Sequence, residues 1–486
     1  MTQKLTLTAA PLGPLQKPDG QAFTGERLCY NGTIPGPVIR VQEGEAVDIL
    51  VQNNCTESTS VHWHGIHQIE TSQHDGVPLV SHGPIEPGKS HSYQFTASPA
   101  GTHWYHSHTG LQYSEGLFGA LIVEAKDDPY AGDYDREAVL LISDWFHSPS
   151  DDLLAAVIAM GLDGDGGHGD MPPAPGGSMP SEMDMDEGED LSDIPFEAAL
   201  INGKGGTAEL ERVEVSSGER IRLRIINGSG TFDFHFAVEA HQLKVIAVDG
   251  NHVQAFATDA LILAPGERYD VILHADQPAA DYVIHAKTLE KDRDNGVVAT
   301  LAYTEPARDA KPDTLLANAA PLNLTDLRPL SVQAVVAPDR TVHLQLAGTM
   351  SPYQWMIGID GATPRPLGMD KDAQGELADL QSVQPRLNIR QGDQLRMIIN
   401  GADMSHPFHL HGHSFQVLGL SDAHAGNYDD APLNLTNPIT KDTINIQERG
   451  WAVIQWQATN AGAWLFHCHI EWHAAVGMGL LIIVEK

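Results

Sequence analysis

Four short stretches set histidines two residues apart. They are His62-Trp63-His64, His106-Ser107-His108, His409-Leu410-His411 (preceded by His406) and His467-Cys468-His469 (followed by His473). Residues i and i+2 of a strand share a face, so each pair aims two imidazoles the same way. Four pairs supply eight imidazoles, enough for a cluster of several metal ions. Cys468 points to the opposite face and can bind a different metal, joined to both neighbouring histidines through its own backbone. His406 and His473 can complete a His₂Cys set around it, and Met478 can stand as a weak axial ligand. Thiolate, two imidazoles and a distant thioether form the ligand set of a blue-copper electron-transfer site. Zinc closes on four ligands and gains nothing from redox wiring.

The elements that must position these residues recur along the chain. Gly44, Gly218 and Gly392 fall at equal spacing, each followed by an acid and then by apolar residues at alternate positions. That period of two predicts a strand buried on one face. A second landmark closes each unit: Gly101 to His108, Ala280 to Lys287 and Gly462 to His469 match one another. Pro87-Gly88 and Pro265-Gly266 set similar turns ahead of this strand in the first two units. The prediction is an all-β chain of three tandem Greek-key β-sandwiches, over 1–130, 131–310 and 311–486. Frequent glycine (46) and proline (30) suit many short strands and turns. Asp151 to Met160 is the best helical candidate. Residues 163–193 break the pattern, being rich in Gly, Pro and acids and containing Met171, Met179, Met183 and Met185. They read either as an acidic insertion with incidental methionines or as a Cu(I)-capturing flap, since thioethers suit Cu(I).

Among 486 residues the net charge is −35, which argues against nucleic acid or an anionic membrane surface as partner. No apolar run approaches the roughly 18 residues that span a bilayer. The start lacks a secretory pattern. The expectation is a mature secreted or periplasmic protein, a cytoplasmic location being the other reading, and a monomer. Cys29 and Cys55 either form one bridge or stand as separate buried thiols.

The clusters, in this order and spacing, resemble those of the multicopper oxidases over the whole chain. Trp104-Tyr105-His106-Ser107-His108-Thr109-Gly110-Leu111-Gln112, with Asp75-Gly76-Val77-Pro78-Leu79-Val80, looks like the laccase branch. Some phrases also look like bacterial copper-resistance oxidases. The resemblance implies cupredoxin domains and four copper ions. By motif position, His406, Cys468 and His473 would hold the type 1 copper, with Met478 axial. His62 and His409 would hold the type 2 copper. His64, His106 and His469 would hold one type 3 copper, and His108, His411 and His467 the other. Substrate electrons would enter at a partly exposed edge of His473 or His406, cross Cys468, and reduce dioxygen to water. Asp75 matches a proton-relay acid of the family, and Glu471 an acid of fungal laccases; each could instead be structural, shaping a turn or orienting a histidine. Asp233 is the candidate carboxylate in the substrate groove.

The middle unit carries His235 and His285 where the others carry pairs, and both read as buried polar remnants. Trp63, Trp104 and Trp464 read as core. The implied activity is one-electron oxidation of phenols or aromatic amines coupled to dioxygen reduction. The alternatives are a Cu(I) or Fe(II) oxidase protecting against copper, favoured by the methionines of 163–193, and a copper carrier without turnover. Met478 as axial ligand implies a low-to-middle potential.

Overall fold

The computed structural model describes residues 2–12, 27–162, 194, 196–206, 209–289, 295–304, 320–350, 353–367, 380 and 383–486. The alternating stretches form strands that bury every second residue, as in Ala46–Asn53, Arg212–Val215 and Arg386–Arg390. Gly44, Gly218 and Gly392 turn into these ladders with φ of 74°, 83° and 100°, a region that favours glycine.

The strands form six sheets, two for each of three cupredoxin-like sandwiches. The first sandwich has two four-stranded sheets; the second and third each have a six-stranded and a five-stranded one. Neighbours in a sheet are often not consecutive in the chain. Thr2–Leu12 runs parallel to Ala46–Asn53, Arg136–Trp145 to Arg220–Asn227, and Arg340–Met350 to Gln394–Asn400. A parallel pair at the same place in each sheet of each sandwich marks the repeat in three dimensions.

The core of the first sandwich stands apart from a second, larger core that runs through the other two. Polar contacts seam the first to the second: Thr102 donates to Asp270 (2.6 Å), which also takes Arg222 (2.5 Å) and Arg224 (3.3 Å). The predicted helix spans Ser150–Leu162, with Asp151 and Asp152 in its first turn, where the helix dipole favours anions. Residues 163–193, with their methionines, lie outside the described residues. No described helix is long and apolar enough to cross a membrane. Cys29 and Cys55 are both buried and are not joined to each other, so the bridge left open by the sequence is not formed.

His235 and His285 differ from expectation. They alternate with the buried Phe234, Phe236, Ile284 and Ala286, and so lie half-buried on the outer side of their strands.

Candidate metal centre

The histidine pairs lie on neighbouring strands, or just past their ends, so that one pair faces another across each sheet. His62–His64 pairs with Gly101–His106, setting His62 opposite His106. His406–Leu410 pairs with Gly462–Cys468, setting Phe408 opposite Cys468 and His409 opposite His467. The first and third sandwiches turn these strands toward each other. Among the described residues, four trios made of His and Cys alone result, each with its ligand atoms within 4.8 Å of one another: His62, His64 and His409; His64, His106 and His469; His108, His411 and His467; and His406, Cys468 and His473.

Within the histidine cluster, rings from the two sandwiches stack. His64 lies 3.6 Å from His409 and His62 3.8 Å from His411, centroid to centroid. Nitrogens face nitrogens: His411 Nε2 is 3.0 Å from His467 Nε2, and His64 Nδ1 is 3.2 Å from His469 Nε2. The opposite nitrogens are spent on carbonyls. His62 Nδ1 donates to Asp75 O (2.8 Å), His409 Nδ1 to Asp442 O (2.9 Å), His106 Nδ1 to Ser107 O (2.9 Å) and His467 Nδ1 to Cys468 O (2.8 Å). A donated Nδ1–H leaves the lone pair on Nε2. The Nε2 atoms of His62, His106 and His409 are buried with no hydrogen-bond partner. Burial, and then neighbouring imidazoles, holds His64, His106, His108, His411 and His469 well below the usual histidine range, and His467 at about 3. These rings are neutral donors. Buried lone pairs without protons are what a cation satisfies.

In the fourth trio, Cys468 Sγ stands 3.8 Å from His406 Nδ1 and 3.7 Å from His473 Nδ1. Burial pushes the Cys468 thiol well up, so its thiolate needs a cation beside it. Met478 is fully buried, and its carbonyl accepts from the Cys468 N–H (3.0 Å). The donor set fits copper.

Three multicopper oxidase family profiles match residues 17–128, 136–306 and 336–486. The chain is 32% identical to oxidoreductase OpS5 of Beauveria bassiana, over 96% of this chain and 79% of that protein. It is 31% identical to laccase-2 of Botryotinia fuckeliana, over 96% and 80%. The chain belongs to the laccase branch of the multicopper oxidases. Its fold superposes on the laccase of Botrytis aclada with a TM-score of 0.79 at 28% identity, covering 99% of this chain and 88% of that one. Fet3p, a multicopper oxidase that functions in iron import, gives 0.80 at 24%, covering 100% and 90%, and speaks for the fold alone.

This oxidase binds copper, and Asp75 lies against the imidazoles. Asp75 is 1% exposed; its Oδ2 takes His411 Nδ1 at 2.7 Å while its carbonyl takes His62, so one residue grips both histidine pairs. Glu471 lies where all three sandwiches meet. Its carboxylate accepts from the Tyr113 N–H (3.3 Å), the Ser114 N–H (3.1 Å) and the Ser114 hydroxyl, and its own N–H donates to Gly230 O. Burial pushes the Glu471 carboxyl well above the usual carboxylate range. Asp233 is half-buried and accepts from Asn445 Nδ2 at 2.8 Å.

One expectation fails. Neither histidine of the cysteine trio has an exposed edge: His406 is 0% and His473 2% exposed. Trp355, on Tyr353–Ile359, lies 4.6 Å from the His406 ring and 4.7 Å from the His473 ring, and covers both. The indole donates to the Tyr353 hydroxyl at 3.2 Å.

Sequence reading also missed Asp442 and Arg268. Asp442 Oδ1 is 3.4 Å from His64 Nε2, and both its oxygens hold Arg268, at 2.5 and 2.6 Å. Asp442 lies between two short strands, Thr440–Lys441 and Thr443–Ile446, in a polar stretch that by itself names no partner. Trp63 and Trp464 are core, as read; Trp104 is buried too but stacks on His106 at 4.3 Å and so also shapes the cluster.

Proposed function

We propose that this oxidase is a four-copper laccase that removes electrons one at a time from phenols or aromatic amines and uses them to reduce dioxygen to water. The observation that carries this reading is the linkage of two sites by three consecutive residues. Cys468 belongs to one trio, and its neighbours His467 and His469 belong to two others. The ligand roles follow the trios: His406, Cys468 and His473 with Met478 for type 1, His62 and His409 for type 2, and His64, His106, His469 with His108, His411, His467 for the type 3 pair. Bound there, copper would supply one-electron acceptance at Cys468 and multi-electron dioxygen reduction among the eight histidines.

The chain's own residues do the rest. Trp355 packs over His406 and His473 and excludes water from them. Asp233, at 2.8 Å from Asn445, offers a carboxylate to accept the phenol proton. Asp75 and Glu471 serve as the proton-relay acids beside the cluster. Asp75 also fixes the tautomers of His62 and His411. The three units 1–130, 131–310 and 311–486 go with this reading. So do a monomer and a secreted or periplasmic location, and the net charge of −35 supports independence from nucleic acid and membranes.

Oxygen uptake by copper-loaded protein, with a methoxyphenol and with Cu(I) as alternative reductants, tests it. We expect an intense blue absorption and phenol-driven uptake, with Cys468→Ser losing both. Uptake driven mainly by Cu(I) would replace the phenol with a metal ion as substrate. A blue band that survives Cys468→Ser would refute the type 1 assignment.

A further inference from the structure

Three histidines outside the four trios gather on the first sandwich. His74 ends the turn Ser72–His74, His82 lies in the following loop, and His91 is on the strand Ser90–Thr96. The His82 and His91 rings stack at 4.4 Å with 15° between their planes, and His74 lies 5.9 Å from His91. His82, His91 and His74 stand around Tyr93, at 5.3, 4.7 and 6.5 Å, and the Tyr93 hydroxyl already accepts from the Val61 N–H.

Each of the three rings has one nitrogen that is buried and has no hydrogen-bond partner: His74 Nδ1, His82 Nε2 and His91 Nε2. Buried polar atoms of this kind are rare in folded proteins, and a bound water or ion commonly satisfies them. His82 donates its other nitrogen to Gly83 O, which leaves the lone pair on Nε2. Burial, and next to it the neighbouring rings, lowers the basicity of all three, so they are neutral donors. Asp48 acts on His74 and Asp75 on His82, supplying negative charge on either side. Tyr93 packs against Trp63 at 5.4 Å and so separates the group from the cluster at His62 and His64.

We propose that His74, His82 and His91 form an additional metal site that takes one divalent late transition ion, zinc or copper. Three imidazoles with no thiolate or thioether suit Zn(II) or Cu(II) rather than Cu(I). The site is more open than the four trios, whose atoms converge within 4.8 Å. Binding therefore draws the rings together by side-chain rotation. These histidines come from separate stretches with no His-x-His spacing, which is why the sequence pattern does not reveal them.

The test counts metal. Copper-loaded protein is equilibrated with Zn(II), desalted, and its copper plus zinc measured by plasma mass spectrometry, beside His82→Asn and His91→Gln. We expect wild type to hold one metal equivalent more than either variant, with blue absorption and phenol-driven oxygen uptake equal in all three. Equal totals overturn the proposal and assign the three nitrogens to water. A second measurement needs no variant: anomalous diffraction at the zinc edge from zinc-soaked wild-type crystals. A peak among the three rings supports the site, and no peak there overturns it.

Discussion

Asp75 does two things with two different atoms. Its carbonyl fixes His62, and its carboxylate fixes His411 at 2.7 Å. Asp75→Asn keeps the first contact and replaces the anionic acceptor in the second. Turnover with a phenol should fall about 10- to 100-fold, the usual cost of losing a partner that orients a metal ligand. Blue absorption should stay unchanged, because His406, Cys468 and His473 do not touch Asp75. Steady-state oxygen uptake and the visible spectrum, read on the same sample, check both halves. Loss of the blue band together with turnover would mean that Asp75 supports the fold rather than the cluster. The acid itself was legible from its motif; its grip on two imidazoles from different sandwiches was not, since a motif names no distant partner.

At the scale of elements, the middle sandwich does more than hold the outer two apart. The turn Pro265-Gly266 reads in sequence only as a repeated strand connection. In the structure Gly266 has φ of 86°, and a Cβ there would lie 2.9 Å from His469 Cδ2 and 3.1 Å from His64 Cε1. Glycine is required both by its backbone conformation and by the two rings packed on it. Gly266→Ala should therefore destabilise by more than about 1 kcal/mol and disturb the copper signals other than the blue one. Thermal unfolding measures the first, and electron paramagnetic resonance of the copper-loaded protein the second. An unchanged spectrum would show that the rings yield without cost.

For the whole molecule, the Arg268–Asp442 pair is one of the buried joints between the second and third sandwiches, beside Lys441 with Asp249 and Glu267. Burial alone would raise the Asp442 carboxyl, but the Arg268 guanidinium, with its two hydrogen bonds, holds it well below the usual range. Arg268 also reaches the first sandwich, donating to Thr102 O at 3.0 Å. Removing one partner of such a pair leaves an uncompensated charge in the interior, so Arg268→Ala should cost about 3–5 kcal/mol. Arg268→Lys should recover only part of this, because an ammonium cannot make the two-point contact. Denaturant unfolding of the copper-loaded protein checks the order wild type, Lys, Ala. A loss below about 1 kcal/mol for Ala, the range of an exposed pair, would mean that this pair adds little to the joint.

The all-β class, the threefold repeat and the donor inventory are written in the order of residues alone. All of these are local: a period of two sets which face a side chain takes, and His467-Cys468-His469 divides its donors between two faces wherever the strand lies. Whatever depends on packing between distant strands came from the folded chain. That includes the stacking of His64 on His409, the closing of Trp355 over His406 and His473 and the lack of a bridge between Cys29 and Cys55. It also includes the half-buried places of His235 and His285 and the gathering of His74, His82 and His91. Side-chain spacing along a chain sets direction, but distance across an interface is set by how whole sandwiches bury their apolar faces, and no single stretch carries that.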